Sequence, residues 1–336
     1  MAETDTRDRA DDPDTAAAGG EAAGRGRGSR FSVASAARYA SVIGLVIVFI
    51  AFFIATPDFL TTGNISDLLV SASILAVLAM GQQLVVSVAG IDLSIGSNLP
   101  WAAAVLGYLA THGWPLALAI IVAIAAAGVV GVVNGVLVAY LNMTDFIVTL
   151  GSLSVVSGIT LLLTSGNTVP VNSHFLQDLA LNGAGPVKWF WLVALVVALL
   201  TAFLLFRTRT GTHLLATGGN LEAARGTGVH VSRMRLLAYV FSGLVTGVAG
   251  VLFVARTGGA DPSLQTDLLL SSIAAVVLGG SSLFGGRASV LGSAVGAVLL
   301  ESLINGFTLV GISQNYQPIA VGGVVLGAAF ISRFQK

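Results

Sequence analysis

The chain has 336 residues, of which 55% are hydrophobic and only 10% charged, and its formal net charge is +0. A water-covered globular domain carries roughly 25% charged residues, so the composition excludes a soluble shell. With a mean hydropathy of +0.90 the chain reads as an all-α polytopic integral membrane protein. Cysteine is absent, which removes disulfides, thiolate metal sites and cysteine nucleophiles, and the 41 glycines suit helices that approach closely in lipid.

Residues 1–37 mix Asp, Glu and Arg with Ala and Gly and lack an early apolar run. They predict a disordered cytoplasmic tail and not a cleavable signal peptide. From residue 38 to 336 the pattern is that of one transmembrane domain, with ten apolar segments at 39–56, 65–89, 94–111, 115–140, 145–165, 189–206, 236–257, 267–284, 288–309 and 316–332. Two of them, 94–111 and 267–284, carry Gly and polar residues at one end and read as broken or re-entrant helices. Placing the tail in the cytoplasm puts all but Lys188 and Arg256 of the 16 Lys and Arg residues on the cytoplasmic side, as the positive-inside rule requires. Ten crossings then leave both termini cytoplasmic. The stretch 166–187, with Pro170, His174, Asp178 and Pro186, faces outside, and 207–235 faces inside. Gly90–Ser97 and Gly279–Ser293 each place a Gly-rich turn before a span, and Asn134-Gly135 and Asn305-Gly306 recur later, which hints at duplicated halves.

The chain has neither G-x-x-x-x-G-K-[ST] nor H-E-x-x-H. His112, His174, His213 and His230 sit in predicted loops, and no His/Asp/Glu set has metal spacing. Polar groups within spans are the remaining candidates, since each is costly there. Glu301 stands deepest in a span, with Asn305 one turn on, where the two can hydrogen-bond along one face. They read either as a proton-coupling or pathway pair, or as glue between helices. Asp92, with Ser94 beside it, either caps the helix that follows or marks the mouth of a broken span. Asp145 reads as a cap for its own span. Gln82 and Gln83 point about 100° apart, so at least one faces protein or a polar path, where amides bind hydroxylated solutes or lock helices. Trp101 either stacks on a sugar or packs.

Between two spans lies a basic loop, Arg207–Arg235. Thr217-Gly218-Gly219-Asn220 reads as a flexible turn ending in a capping Asn, Leu221–Arg225 as a short helix former, and Gly226 and Gly228 as its stop. One or two exposed turns are unstable alone. The segment is therefore either ordered by a partner's groove or is a solvated connector whose arginines set topology.

Gly90-Ile91-Asp92-Leu93-Ser94-Ile95-Gly96-Ser97, the loop Ala216–Val231 and the run Ala274–Ser293 fall in an order that resembles the permease subunits of ABC-type monosaccharide importers of the ribose/xylose/galactose kind. The resemblance covers about residues 40–335. It implies a multi-pass protein of the bacterial cytoplasmic (inner) membrane that forms the pathway for a small sugar. Its implied partners are a second permease subunit, two cytoplasmic ATP-binding subunits and an extracytoplasmic solute-binding protein, with the lipid bilayer around it and no nucleic acid. ATP and Mg are then bound by the partners, leaving this chain without cofactor, metal or catalytic residue. The resemblance also implies a coupling helix at Gly218, Gly219, Asn220, Glu222, Ala223, Ala224, Arg225 and Gly228. Gly279, Gly280, Gly285 and Gly286, with the turn at 90–96, are the expected hinges. Relatives of such permeases carry branched-chain amino acids or nucleosides. Two other readings stay open: a proton-coupled secondary transporter using Glu301 and Asp92, and a membrane scaffold that moves nothing.

Overall fold

The computed structural model describes residues 40–184 and 187–332; the tail at 1–37, Pro186 and the last four residues lie outside the described residues. Among the described residues there are thirteen α-helices: α1 (Ala40–Ala55), α2 (Thr62–Ser87), α3 (Ile95–Thr111), α4 (Leu116–Ala139), α5 (Asp145–Thr164), α6 (His174–Leu181), α7 (Trp189–Arg207), α8 (Arg209–Gly219), α9 (Leu221–Gly226), α10 (Val231–Thr257), α11 (Thr266–Leu278), α12 (Val290–Leu309) and α13 (Gln317–Ser332). Four two-residue strands complete it, β1 (Val169–Pro170), β2 (Gly183–Ala184), β3 (Val187–Lys188) and β4 (Gly259–Ala260), paired β1 with β4 and β2 with β3, both antiparallel.

Each predicted span has a helix. Six of them, α2, α4, α5, α7, α10 and α12, are long and apolar enough to cross a membrane, while α1 and α11 are apolar but shorter. The largest departure is at 267–284. Its helix α11 stops at Leu278 after 13 residues, about 20 Å against a hydrocarbon core of about 30 Å. The 236–257 span starts earlier than predicted, at Val231, because Arg233 and Arg235 join its first turns. α6, α8 and α9 are additional short helices that no apolar run announced.

Helix ends follow local chemistry. Thr61, Thr208, Asn220 and Ser289 each accept a hydrogen bond from a backbone N–H in the first turn of the helix that follows. Ser165 and Gly258 close α5 and α10 in the left-handed conformation.

The core is built around α2 and α10. From Leu68 onward nearly every residue of α2 is buried, Gln82 and Gln83 included, so no single face of it is turned to the surroundings, as for a helix enclosed by others. α10 lies against α4 through small residues on both sides. A Cβ on Gly243 would stand 2.6 Å from the Ala127 carbonyl oxygen, and one on Gly247 would stand 2.7 Å from the Ile124 Cα. Backbones that close gain dispersion contact where lipid supplies no hydrophobic drive.

Two helices begin inside the bundle. Gly107 of α3 approaches Val169 and Ala260 at one end of the molecule, where β1 pairs with β4. Gln265, five residues after Ala260, donates its N–H to the Gly96 carbonyl at 2.9 Å. Gly96 and Gly107 are separated by about 16 Å of helix, so the chain at 261–265 descends that far before α11 starts. Asp92 reaches Ser242, which packs on Gly81, so the stretch 88–94 is likewise folded inward. The 267–284 segment gives way to turns after Leu278, whereas 94–111 is one continuous helix, Ile95–Thr111, preceded by an irregular stretch at 88–94. Most of that stretch is covered by protein, while Ser263 and Leu264 before α11 are exposed.

Candidate functional site

Two sets of predicted residues meet at the end of the molecule where α2 finishes. The first is a joint of backbone on backbone. Gly286 donates its N–H to the Ser87 carbonyl at 3.2 Å. Gly218, in the last turn of α8, lies against the same carbonyl, and a Cβ there would fall on that oxygen and stand 2.7 Å from the Gly286 nitrogen. Gly285, at φ +82, would place a Cβ 2.7 Å from the Gly218 oxygen and 2.8 Å from the Ala89 nitrogen. Only residues without a side chain let these three strands of backbone touch. Gly218 and Gly219 of the predicted coupling loop and two of the predicted hinge glycines thus form one contact, from which Gly228 stands apart. Gly279 stands apart from it, at the crossing of α11 and α12, where its Cβ would sit 2.7 Å from the Gly292 oxygen. Gly280, at φ +84, faces open space.

The expectation of a flexible turn at 217–220 is corrected. Thr217 and Gly218 are buried residues of helix α8, the latter held by the close contact just described, and His213 lies in the same helix, exposed. Asn220 caps as predicted, its Oδ1 accepting the Ala223 N–H at 2.9 Å. α9 then projects from this fixed end. Glu222, Ala223 and Arg225 are exposed and Ala224 alone is buried. Gly228, at φ +84, turns the chain toward α10.

The second set is a polar chain inside the bundle. Asp92 is 1% exposed. Its carboxylate accepts the Ser94 N–H at 3.0 Å, the Ser94 hydroxyl at 2.5 Å and the Ser242 hydroxyl at 3.2 Å. The Ser94 hydroxyl in turn accepts from Asn134 Nδ2 at 2.9 Å, and Asn134 Oδ1 accepts from Ser152. The inward-folded stretch is thereby tied to α10, α4 and α5. The capping reading of Asp92 is corrected: α3 starts at Ile95 with Ser94 as its N-cap and no side chain capping its first turn, so the bond from the Ser94 N–H only tightens the turn before the helix; Ser242, Asn134 and Ser152 were not foreseen as its partners, although Asn134 stood out by its recurrence. Asp145 does not cap its own helix: its Oδ2 accepts the Ile91 N–H at 2.8 Å, so α5 is pinned to the same stretch.

Gln82 and Gln83 are both fully buried. Gln83 Oε1 accepts hydroxyls from Ser281 at 2.5 Å and Ser293 at 2.8 Å, which links α2 to the turn after α11 and to α12. Both polar atoms of Gln82 lack a hydrogen-bond partner among the described residues. Glu301 and Asn305 are not brought together. Asn305 exchanges two hydrogen bonds with Asn64 of α2, at 2.9 and 2.8 Å. That reciprocal amide pair satisfies Asn305 better than one bond to Glu301 would. Glu301 is half-buried and makes no hydrogen bond among the described residues. Trp101 is half-buried and packs with α4 and α5 at an apolar cavity. No group of three or more His, Asp or Glu that could hold a metal occurs among the described residues.

An exposed helix follows one whose last turn touches the end of α2 and the turn before α12, and Gln83 of α2 bonds to Ser281 and Ser293 on either side of that turn. A family model described as branched-chain amino acid transport system / permease component matches residues 64–332. The ribose import permease protein RbsC of Escherichia coli K12 is 34% identical over 303 residues, which is 87% of this chain and 92% of the relative. The L-arabinose ABC transporter permease protein AraH of Azospirillum brasilense is 35% identical over 300 residues, 87% of this chain and 88% of the relative. The D-allose transport system permease protein AlsC of Escherichia coli K12 is 32% identical over 300 residues, 88% and 91% of the two chains. No solved structure matches. With the three motifs, the helical membrane fold and these relatives in agreement, the chain belongs to the permease-component family of ABC importers, and its likeness to their monosaccharide branch holds.

Proposed function

We propose that this chain is the membrane-spanning subunit of a binding-protein-dependent importer of a small sugar, driven by separate ATPase subunits in the bacterial cytoplasmic membrane. The observation that carries the reading is the mounting of α9: an exposed surface with Glu222, Ala223 and Arg225, carried on a helix whose end cannot move without moving Ser87 and Gly286. A partner that closes on ATP and grips α9 would pull on α2 and α12 together. ATP and Mg belong to those partners, and a second permease subunit and an extracytoplasmic solute-binding protein complete the assembly.

Ten crossings, with α1, α3, α11 and α13 added to the six long helices and both termini inside, support this orientation. Ser87, Gly218, Gly286 and Asp145 then lie at the cytoplasmic end, and the β1–β4 pair at the outer end. The domain runs from 38 to 336 behind a separate tail. Gln82, Gln83, Asp92, Ser94, Glu301 and Asn305 remain the residues through which a pathway is sought, and Gly279, Gly280, Gly285 and Gly286 the place where α11 and α12 change angle. The sugar is inferred from relatives named for ribose, L-arabinose and D-allose. Proton coupling through Glu301 and Asp92 gains no support from geometry in which the Asp92 carboxylate is already filled with donors.

Reconstitution with the ATPase and binding protein in sealed vesicles, supplied with labelled pentoses, hexoses, a branched-chain amino acid and a nucleoside, tests the reading. ATP-dependent accumulation of one sugar is the expected result. Accumulation by the permease alone, or of the amino acid alone, would refute it.

A further inference from the structure

Between the first turns of α8 and α10 lies an open cavity of about 370 Å³. Arg209 and His213, one turn apart on α8, line one wall, and His230 and Arg233, at the entry to α10, line the other. Four nitrogenous side chains thus converge from two helices, although the sequence scatters them over 25 residues. None of the four side chains makes a hydrogen bond or an ion pair with another described residue. Glu222, the sole carboxylate in 207–235, sits on exposed α9 and does not line the cavity. Guanidinium groups brought together without a counter-charge repel one another, and an oxyanion with several acceptor atoms relieves that repulsion while filling their fixed forks.

The floor of the cavity is apolar. It is made by Met234, which is 7% exposed, and Leu237. It lies where the apolar run of α7 ends at Arg207 and that of α10 begins, at the level where a membrane changes from hydrocarbon to headgroups. A cavity with a cationic rim and an apolar floor at that level matches a phosphodiester that leads into glycerol and acyl chain. Basic pockets between helices on the cytoplasmic side take such headgroups.

We propose that this cavity binds the phosphate of an anionic phospholipid, and that the lipid braces α8 against α10. Since Ser87 and Gly286 hold the last turn of α8, the bound lipid would hold its first turn, the end the bundle leaves open. The proposal rests on the orientation given above, in which 207–235 faces the anionic inner leaflet, but its readout does not depend on transport or on the identity of the solute.

The test uses the full chain in nanodiscs of phosphatidylcholine doped with phosphatidylglycerol, with retained lipid followed by native mass spectrometry. Arg209→Gln/Arg233→Gln removes two exposed cations and leaves the fold's contacts in place, which an unchanged melting temperature verifies. Wild type should keep phosphatidylglycerol through delipidation that strips phosphatidylcholine, and the double variant should retain it about tenfold less. Arg225→Gln, a cation on α9 outside the cavity, should retain it as wild type does. Equal retention by the double variant, or equal loss in Arg225→Gln, would overturn the site in favour of diffuse attraction. Displacement of the lipid by inorganic phosphate at low concentration would assign the cavity to a soluble phosphate and overturn the lipid. Loss of retained lipid when the ATPase subunit binds, with the partner's acidic side chains cross-linking to position 209, would assign it to a protein contact and overturn it too.

Discussion

The two short helices of the 207–230 loop are made of similar residues and do opposite things. α8 carries Gly218 in its last turn, and other backbone presses against it from two directions. α9 ends on Gly226, where a Cβ would meet nothing within 4 Å. Glycine in the first place permits contact; in the second it only ends a helix. The difference separates the part of the loop that is fixed to the bundle from the part that is free to be gripped. A lever needs both, because a force applied to a free end reaches the membrane only through a fixed one.

The largest effect is expected where the clamp is filled. Gly218→Val sets a branched side chain on the Ser87 carbonyl. Overpacking costs about 1–3 kcal/mol even where side chains can yield, and here the obstacle is backbone, so about 3 kcal/mol or more is expected. Uptake by the reconstituted importer should vanish and the detergent melting temperature should fall by several degrees. Gly226→Ala, in the open position, should leave both unchanged. If the two variants behave alike, the distinction between fixed and free ends is wrong.

Next in size is the free end itself. Glu222→Arg/Arg225→Glu exchanges the signs of two exposed charges without touching a packed atom. Melting should be unaltered, while the co-purifying ATPase should be held about tenfold to a hundredfold more weakly, the range for mismatched charges across an interface. A drop in melting temperature with the ATPase still bound would show α9 to be part of the core and not a handle.

Much of this division was legible from residue order. The capping role of Asn220 and the short helix after it follow from propensity, and the Gly and polar residues at one end of 267–284 announced the early stop of α11. What failed did so for one reason: pairing at a distance. Gly218-Gly219 looks flexible in isolation and is packed because Ser87 and Gly286, far off in sequence, close upon it. Glu301 and Asn305 look like partners at one helical turn, but Asn64 on α2 offers Asn305 two bonds. Asp145 looks like a cap until Ile91 arrives. Local rules fix helices and their ends; tertiary contact decides which polar group is spent inside the protein and which is left for a ligand.

A smaller loss is expected inside the bundle, at a site the lever reaches through the inward-folded stretch. Asp92→Asn keeps the shape of the side chain but points an amide N–H₂ at a hydroxyl or an N–H that formerly donated. Leaving one such buried donor unmatched costs about 1–3 kcal/mol. Stability should fall by that amount. Uptake should fall several-fold yet persist, because Asp145 still holds Ile91. Ser242→Ala, removing the longest of the three hydrogen bonds at 3.2 Å, should cost less than Asp92→Asn. A Ser242→Ala loss as large as that of the carboxylate would mean that α10, and not the turn at Ser94, is what Asp92 serves.

The smallest effect is expected at Glu301, and its smallness is informative. In this fold it is half-buried on α12, bonded to nothing among the described residues, while its neighbour Asn305 is satisfied elsewhere. Glu301→Gln removes the charge and the titrating proton and keeps the volume. If the force comes through α9, ATP-driven uptake should stay within about twofold of wild type, the scale of a substitution that breaks no buried pairing. A carrier that used this carboxylate to take up a proton would stop altogether. Measured side by side with Gly218→Val, the pair assigns the driving force. Loss at the clamp with survival at Glu301 places it outside the bilayer, and the reverse pattern places it in the middle of α12.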